Sequence, residues 1–573
     1  VLYTNETKNR MIKENFIKLF ENSFKENWDK PALYDYLTGI EKSYGEMATK
    51  IARLHALYEK LKIRPGDKIA LSGKNSSSWA IVFMATVTYG AVIVPVLEEF
   101  NHNDITHVLN HSDSLLLFCD VGIYKKLNLR DIPNIKGIIS LEDMTVLEQR
   151  QGGELKRVVA SVNALMRRKY PNGFSAKNIK YIDRDNSELA MISYTSGTTS
   201  LTKGVMLSAN NLAGTTMFGL NNYAKLAVKL TSSLCVLPLS HTYATAFNLL
   251  VQLVAGAKIT FLGKIPSPNI VIEACRKVKP TLLFFVPLVM EKIYKMKIVP
   301  LLENKYFAFA LRLPIIGKML YRMIGRKMYK AFGGKTEDII VGGAAFNPEI
   351  EAFFYKTGLP FLVGYGMTEC APLISYIHHS EFVPTSVGKV LPGIMEVRIS
   401  KEHENDEIGE IQVRGENVMI GYYKDEEATR NTFTEDGWLK TGDLGILDKE
   451  GNIYIKGRSK TMLLGPSGEN IYPEAIESKL GNMPLVAECI VVQNGTRLEA
   501  WVYPDYDTAE QIHLDPDKIP TIMEDNLKTL NSMLAKFERI SAIKIAPEPF
   551  PKTPKRTIKR YMAVPPANEK ESA

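Results

Sequence analysis

The sequence is poor in cysteine, with five cysteines among 573 residues and no C-x-x-C pair. Because the cysteines are few, widely spaced and odd in number, they exclude a disulfide-stabilised scaffold and indicate reduced thiols in a cytoplasmic protein. The N-terminus also lacks the apolar run of a secretory signal. The cysteines are Cys119, Cys235, Cys275, Cys370 and Cys489.

Long apolar runs without helix-breaking residues are also missing. Residues 75–97 carry no charge and are long enough to span a bilayer. However, Gly90 and Pro95 interrupt them, and WAIVFMATVTYG followed by AVIVPVL is typical of a buried helix and then a buried strand. Residues 231–257 are uncharged as well, but Pro238 breaks them early. We therefore predict no transmembrane helix, which leaves a membrane carrier as an outlying interpretation.

A strong charge imbalance is absent too. Lys and Arg number 71 and Asp and Glu 63, a formal net charge of +8. This mild excess suits anionic small molecules or a membrane surface as well as nucleic acid, and we expect no nucleic-acid partner. With 45% hydrophobic and 23% charged residues, the chain falls in the ordinary globular range, and its length predicts several domains.

Short apolar runs rich in β-branched residues, such as KIALSG, AVIVPV and LLFFV, alternate with helix-length stretches. This alternation predicts an α/β fold of parallel sheets flanked by helices. From about residue 395, MEVRIS, GEIQVRG and GNIYIKG indicate a small antiparallel or barrel-like unit, and the end of the chain predicts a small mobile α+β domain. We place the domains at 1–459 and 460–573, and assign no structure to the polar segment 142–188.

The strongest local signal is YTSGTTSLTKG at 194–204, which follows the apolar run LAMIS. It predicts a strand, then a hydroxyl-rich loop with Lys203 at its far end. Hydroxyls, a permissive glycine and open backbone amides suit a polyanion, and the lysine adds a point charge for phosphate. The segment is not a Walker A loop, because Lys203 precedes Gly204 and no Ser or Thr follows. The other residues expected at the phosphates are Thr195, Ser196, Gly197, Thr198 and Thr199.

Further along come the blocks GGAAFNPE, GYGMTECAP, DGWLKTGDLG and GRSKTMLLGPSGENIYPEAIE. With the loop, their order and spacing resemble the adenylate-forming superfamily of acyl-CoA synthetases, amino-acid adenylation domains and luciferases. The resemblance covers nearly the whole chain and is closest to long-chain fatty acyl-CoA synthetases. It implies that a carboxylate attacks the α-phosphate of Mg-ATP, giving an acyl-adenylate and pyrophosphate, and that the thiol of CoA then displaces AMP.

The resemblance also implies a role for each matched residue. Lys203 and the loop would hold the β- and γ-phosphates, Thr368 would contact the α-phosphate, and Glu369 would hold the magnesium ion. Asp443 and Arg458 would hold the ribose from two sides. Adenine would lie against small residues and the Tyr365 ring. The residues expected to line the rest of the nucleotide site are Gly343, Ala344, Ala345, Gly364, Tyr365 and Gly366.

Two further matches concern the acyl group and domain movement. His241, in LPLSHTYA, matches an aromatic residue or histidine near the acyl carboxylate, although a lone histidine in an apolar stretch is more often a core residue. Lys460 matches a hinge, and the resemblance implies that residues 461–573 rotate about it. One face would complete the adenylation site and the other the thiolation site.

The C-terminal block departs from the family pattern. Family members end near P-K-T-x-x-G-K-I-x-R, whereas FPKTPKRTIKR places Thr557 where that pattern has its last lysine. Lys555 and Lys559 lie two residues to either side, and on a strand such positions share a face. We hypothesise that one of them neutralises the charge that develops as the acyl-adenylate forms.

Residues 305–335 combine aromatic and aliphatic residues with eight basic residues and no acidic one. They predict either an amphipathic element that approaches anionic lipid on the inner face of a membrane, or core helices with a solvated basic face. Similar enzymes carry a basic, apolar stretch in this position, and they are often dimers.

Three alternatives to a fatty acid–CoA ligase remain open. The chain could deliver its acyl group to an acyl carrier protein, act on a non-fatty carboxylate, or bind adenylate as a non-catalytic regulatory protein. The sequence leaves acyl chain length, the thiol acceptor and the oligomeric state undetermined.

Overall fold

The computed structural model describes residues 12, 14–150, 152–195, 202–264, 266–464, 469–495, 497–552 and 558–560. The described chain is a mixed α/β protein with a large N-terminal part and a smaller C-terminal part, which confirms the predicted fold class. The α-helices are α1 Phe16–Glu26, α2 Tyr44–Lys60, α3 Ser77–Tyr89, α4 His102–His111, α5 Val121–Tyr124, α6 Leu155–Lys169, α7 Ala209–Lys225, α8 Thr242–Ala244, α9 Val251–Val254, α10 Pro268–Val278, α11 Pro287–Lys297, α12 Val299–Leu302, α13 Lys305–Arg312, α14 Pro314–Ala331, α15 Pro348–Thr357, α16 Glu426–Thr432, α17 Pro473–Leu480, α18 Tyr506–Gln511 and α19 Ile519–Ser532.

The strands are short, and most hold between four and nine residues. In chain order they are β1 Pro31–Asp35, β2 Ile40–Ser43, β3 Lys68–Ser72, β4 Val92–Val96, β5 Ser114–Cys119, β6 Gly137–Ser140, β7 Val146–Gln149, β8 Leu189–Thr195, β9 Lys203–Ser208, β10 Ser232–Cys235, β11 Lys258–Phe261, β12 Leu282–Phe285, β13 Asp338–Val341, β14 Phe361–Val363, β15 Tyr365–Gly366, β16 Leu373–Tyr376, β17 Lys389–Val390, β18 Met395–Ser400, β19 Gly409–Gly415, β20 Gly421–Tyr422, β21 Leu439–Leu447, β22 Ile453–Arg458, β23 Leu463–Leu464, β24 Asn470–Ile471, β25 Val486–Asn494, β26 Arg497–Pro504 and β27 Ile540–Ile545.

Two large sheets form the centre of the N-terminal part. One has the strand order β14-β13-β12-β10-β11-β1-β2, and the other β20-β9-β8-β4-β3-β5-β6-β7. Most neighbouring strands run parallel. Antiparallel pairs lie towards the edges, where β1 pairs with β2, β6 with β7, and β9 with both β8 and β20. Parallel neighbours require crossover connections, and helices such as α3, between β3 and β4, supply them.

Smaller sheets complete the fold. The predicted antiparallel unit after residue 395 is the sheet β18-β19-β21-β22. A three-stranded sheet, β15-β16-β17, lies between the large sheets and this unit in sequence. In the C-terminal part, β25-β26-β27 pack with helices around an apolar cluster of their own, drawn from residues 471–540.

The uncharged stretch at 75–97 is core, as predicted. Helix α3 is buried on nearly all sides and ends at Gly90, whose φ of 85° provides the left-handed cap that glycine adopts without strain. Strand β4 follows and is fully buried. Within the described ranges, every helix is too short or too polar to cross a bilayer.

The polar segment at 142–188, to which the sequence analysis assigns no structure, contains strand β7 and helix α6. Helix α6 buries Leu155, Val158 and Val162, which fall on one face at helical spacing. Charged residues outnumber these three buried residues in the helix, and the hydrophobic periodicity of the sequence is therefore weak here.

Candidate active site

The carboxyl edge of the seven-stranded sheet gathers three of the predicted blocks. Strands β10, β12, β13 and β14 run parallel, so the loops that follow them meet at one edge. His241 comes after β10, Gly343 after β13 and Tyr365 after β14. Loops at the carboxyl ends of parallel strands are the usual place for a ligand in such sheets.

Asp443 and Arg458 are direct partners across the antiparallel strands β21 and β22. Nε of Arg458 lies 2.9 Å from Oδ1 of Asp443, and the Tyr365 hydroxyl donates to Oδ2 at 2.7 Å. The sequence analysis predicts that all three residues contact the nucleotide, and the structure brings them into one cluster. The contact between Tyr365 and Asp443 itself was not predicted, because the two residues lie 78 positions apart.

This carboxylate is buried, since Asp443 is only 5% exposed, while Arg458 lies at the surface. Burial raises the pKa of Asp443 above its ordinary value, and the charge of Arg458 and the hydrogen bond from Tyr365 oppose that rise. Burial also raises the pKa of Tyr365, with the Asp443 charge adding to the effect, so this phenol stays a hydrogen-bond donor.

A second cluster surrounds the end of the predicted phosphate loop. Lys203 begins β9, and its Nζ lies 4.9 Å from the ring centre of Tyr422, a cation–π distance. The Tyr422 hydroxyl donates to Oε1 of Glu369 at 2.9 Å. Tyr422 therefore bridges the predicted phosphate lysine and the predicted magnesium ligand.

Tyr422 is the site residue that the sequence analysis missed. It belongs to β20, which pairs antiparallel with β9 at the edge of the eight-stranded sheet. The segment GYYKDEE that contains it offered one weak signal, a pair of aromatic residues after a glycine. Its partners are remote in sequence, so local spacing could not identify it.

The segment 364–370 joins the two clusters, because Tyr365 contacts Asp443 and Glu369 contacts Tyr422. Thr368 lies between them in a short 3₁₀ turn and is buried. Gly366 is sterically required here, since a Cβ at this position would lie 2.1 Å from the carbonyl oxygen of Pro372. The backbone therefore packs tightly where it turns towards the site.

The GGAA block and His241 lie on the same side. Gly343, Ala344 and Ala345 are exposed, and the φ of Gly343 is +89°. The neighbouring Gly342 sits against the ring of Tyr243, two residues after His241 in sequence. His241 is half-buried and occupies the N-cap position of α8, where its side chain makes no capping hydrogen bond.

The C-terminal candidates lie in the smaller part of the chain. Lys460 is exposed and follows β22 within two residues of Arg458. The backbone N–H of Lys559 donates to the carbonyl of Pro551 at 2.7 Å, and the neighbouring residues Lys552 and Ile558 form an antiparallel bridge. Five predicted site residues lie outside the described ranges: Ser196, Gly197, Thr198, Thr199 and Lys555.

The AMP-binding enzyme family matches residues 20–423, and the AMP-binding enzyme C-terminal domain matches residues 461–565. The chain belongs to the AMP-binding enzyme family, the adenylate-forming superfamily that the sequence analysis names.

Relatives refine this assignment. Over 545 residues the chain is 27% identical to the long-chain-fatty-acid–CoA ligase FadD15 of Mycobacterium bovis, covering 87% of this chain and 86% of that protein. It is 28% identical over 473 residues to the probable 4-coumarate–CoA ligase 3 of Dictyostelium discoideum, covering 81% and 80%. The crystal structure of ATP-bound MatB from Rhodopseudomonas palustris matches with a TM-score of 0.73 and 25% identity, covering 95% of this chain and 97% of that one. The protein is an adenylate-forming acid–CoA ligase.

Proposed function

We propose that this ligase activates a medium- or long-chain fatty acid, forming the acyl-adenylate and pyrophosphate from ATP and then the acyl-CoA and AMP. The observation that carries the proposal is that segment 364–370 contacts both clusters of the site. Tyr365 at one end bonds to Asp443, the expected ribose ligand, and Glu369 near the other end bonds to Tyr422, which lies beside the expected phosphate ligand Lys203. The relatives named as long-chain-fatty-acid–CoA ligases support the acyl class, although the 4-coumarate–CoA ligases match comparably well.

In this proposal the nucleotide lies along that segment. The Asp443 carboxylate accepts hydrogen bonds from the ribose hydroxyls, and Arg458 reaches the ribose from the surface side. Lys203 holds the β- and γ-phosphates, and Thr368 contacts the α-phosphate between the two clusters. Gly343, Ala344, Ala345 and Tyr365 border adenine, and His241 lies towards the acyl carboxylate.

Glu369 is the proposed magnesium ligand, and its surroundings fit that role. Its carboxylate is partly exposed, and the bond from Tyr422 occupies one oxygen while orienting the group. A carboxylate oxygen is a ligand that Mg²⁺ prefers. The ion would supply charge neutralisation at the phosphates, while Tyr422 keeps the carboxylate near Lys203.

We also propose that the chain divides at Lys460 into a nucleotide- and acyl-binding domain, 1–459, and a mobile domain, 460–573. The family pattern has a lysine where this chain has Thr557, and Lys559 or Lys555 then supplies that positive charge. Replacing each with Ala and measuring ATP–pyrophosphate exchange tests this assignment. A fall of at least tenfold, about 1.4 kcal/mol, is expected for one of them, and no fall for either variant would refute it.

The surface of α13 and α14 supports peripheral contact with an anionic membrane. All eight basic residues of 305–335 are exposed. Large apolar side chains lie exposed among them, with Tyr306 89% and Ile315 84% accessible. Such a combination fits the boundary between lipid headgroups and acyl chains. The exposed apolar residues are Tyr306, Phe309, Ile315, Ile316, Met319 and Met323.

A carboxylate series tests the substrate proposal. Purified protein is assayed for CoA-dependent AMP formation with saturated fatty acids of increasing length and with 4-coumarate. We expect the highest kcat/KM with a medium or long chain. Preference for 4-coumarate would refute the fatty-acid assignment, and AMP formation with an acyl carrier protein but not with CoA would identify the other thiol acceptor. Absence of AMP with every acid would favour the non-catalytic alternative.

A further inference from the structure

A cluster of ligand-type side chains lies at the edge of the seven-stranded sheet opposite the candidate active site. Glu337 immediately precedes β13, and His378 and His379 follow β16. One ligand atom from each of these residues lies within 4.8 Å of the other two. The candidate active site is at the carboxyl end of β13, whereas this cluster is at its amino end, one four-residue strand or about 13 Å away.

The two imidazoles are oriented by neighbouring groups. Nδ1 of His379 lies 2.7 Å from Oδ1 of Asp338, and Nδ1 of His378 lies 2.8 Å from the Ser380 hydroxyl. The other oxygen of the fully buried Asp338 accepts from the hydroxyls of Tyr223 and Tyr376. A hydrogen-bonded carboxylate behind an imidazole is the arrangement that orients histidine ligands in metal sites.

Nε2 of His378 lies at the centre of the cluster, 3.5 Å from Oε1 of Glu337 and 3.9 Å from Oδ1 of Asp338. This nitrogen is buried, and among the described residues it has no hydrogen-bond partner. Within the same ranges, no Lys or Arg lies within 4.0 Å of either carboxylate. The described part of the cluster therefore combines two carboxylates with an imidazole nitrogen that makes no hydrogen bond, and no lysine or arginine there neutralises the carboxylates.

We propose that Glu337, His378 and His379 bind one divalent transition-metal ion, for which Zn²⁺ is the fitting ion. Two imidazole nitrogens and one carboxylate oxygen form a ligand set that Zn²⁺ accepts, and water completes the tetrahedral coordination. Glu337 and Asp338 offset the charge of the ion. This site is separate from the magnesium site proposed at Glu369, and it does not depend on the proposed substrate.

The ion has a structural consequence, because it ties the segment after β16 to the start of β13. Strand β16 pairs with β15, which carries Tyr365, so the ion would stabilise the sheet that supports the nucleotide site. A ligand that binds only the folded state raises the melting temperature with its concentration. We therefore expect zinc to stabilise the protein without entering the reaction.

Zinc titration of the chelator-treated protein, residues 1–573, tests the site. Excess Mg²⁺ is present to occupy oxygen-only sites, and a chromophoric chelator competes for the zinc. We expect one tight equivalent in the wild type and in the controls His403→Ala and Glu435→Gln, which alter exposed residues. Affinity is expected to fall at least tenfold in His378→Ala and in Glu337→Gln, and the zinc-induced rise in melting temperature is expected to disappear.

Two outcomes would overturn the proposal. One is a wild type that holds less than one tight equivalent, and the other is tight binding that persists in both variants. Co²⁺ provides a measurement on the wild type that needs no variant to fold. Intense visible absorption from four-coordinate Co²⁺ is expected, and a spectrum of weak, six-coordinate Co²⁺ would refute the ligand set.

Discussion

Asp443 is a carboxylate whose burial lowers the stability of the folded chain, at the position where we propose that it binds the ribose. It is 5% exposed and held by Tyr365 on one side and Arg458 on the other. Burial raises its pKa despite these two partners, so the ionised form is favoured less in the folded chain than in the unfolded chain. The contribution of Asp443 to stability therefore decreases as the pH rises through its folded pKa.

Asp443→Asn is expected to separate activity from stability. The asparagine side chain keeps the shape of aspartate but lacks the negatively charged carboxylate that accepts hydrogen bonds from the two ribose hydroxyls. We therefore expect kcat/KM for ATP to fall about a hundredfold, or about 2.7 kcal/mol. The melting temperature at pH 7 should be equal to or above that of the wild type, because the buried charge is gone. Steady-state kinetics and thermal unfolding measure the two effects.

Asp436→Asn is the matched control, since Asp436 is exposed and pairs with Arg398. Its kcat/KM should equal that of the wild type. Unchanged ATP kinetics in Asp443→Asn would show that this carboxylate does not hold the ribose.

Glu351 is a second buried carboxyl, on α15, that accepts a hydrogen bond from the backbone N–H of Thr385. Burial raises its pKa from the ordinary value of 4.5 to about 7. Between these values Glu351 is protonated to a greater extent in the folded chain than in the unfolded chain, so its contribution to stability should decrease as the pH rises from 4.5 to 7. Glu351→Gln should remove this decrease.

Thermal unfolding across this pH range measures the Glu351 effect. The melting temperature of Glu351→Gln minus that of the wild type should grow from acid to neutral pH and stay level above pH 8. Glu349→Gln, on an exposed position of the same helix, should show no such trend. A difference independent of pH would mean that Glu351 does not titrate in this interval.

At the scale of elements, residues 558–560 are attached to helix α17. Arg560 forms an ion pair with Glu477 on that helix and donates to the carbonyl of Val491 on β25. Burial raises the pKa of Glu477, and the charge of Arg560 opposes that rise. Because Lys559 precedes Arg560 directly, this ion pair fixes the backbone from which Lys559 projects.

Arg560→Ala should destabilise the C-terminal part by about 3 kcal/mol, because it removes the ion pair of the largely buried Glu477 carboxylate, which then keeps the hydrogen bond from the backbone N–H of Val491. The double variant Glu477→Gln with Arg560→Ala should regain most of that stability. ATP–pyrophosphate exchange should stay low in both if Lys559 is the charge-neutralising lysine, since residues 558–560 lose their ion pair with α17 in both.

Thermal unfolding and exchange kinetics of the wild type, Arg560→Ala, Glu477→Gln and the double variant measure the coupling. Arg497→Ala, at an exposed position on β26, is the control and should change neither quantity. A single variant Arg560→Ala as stable as the wild type would show that the ion pair does not anchor residues 558–560.

At the scale of the whole molecule, charge and apolar surface are distributed unevenly. The net charge of +8 equals the number of basic residues in 305–335, a segment without an acidic residue. Helices α13 and α14 combine that charge with exposed aromatic and aliphatic side chains. In the proposed membrane contact, electrostatic attraction to anionic lipid and burial of apolar side chains in the membrane therefore act at the same surface.

The variant Ile315→Ser with Met319→Ser should bind vesicles containing an anionic lipid at least tenfold more weakly than the wild type. Both side chains are highly exposed, so the change removes apolar area that would enter the membrane without creating a cavity. Co-sedimentation measures binding, which should also weaken as salt is added because the basic residues are screened.

Leu226→Ser with Ile512→Ser, at exposed apolar positions elsewhere, should bind as the wild type does. Equal binding of the α14 variant and the wild type would exclude this surface as the membrane contact.

The sequence alone determined the fold class, the buried nature of 75–97 and the blocks from which the candidate site is built. Those features depend on local periodicity and on residues close together in the chain, which a single sequence displays directly. Tertiary structure decided that Tyr365 bonds to Asp443, that Tyr422 bridges Lys203 and Glu369, and that Glu337 meets His378. Each of these contacts joins residues from different elements, and their proximity follows from strand order and register rather than from spacing along the chain.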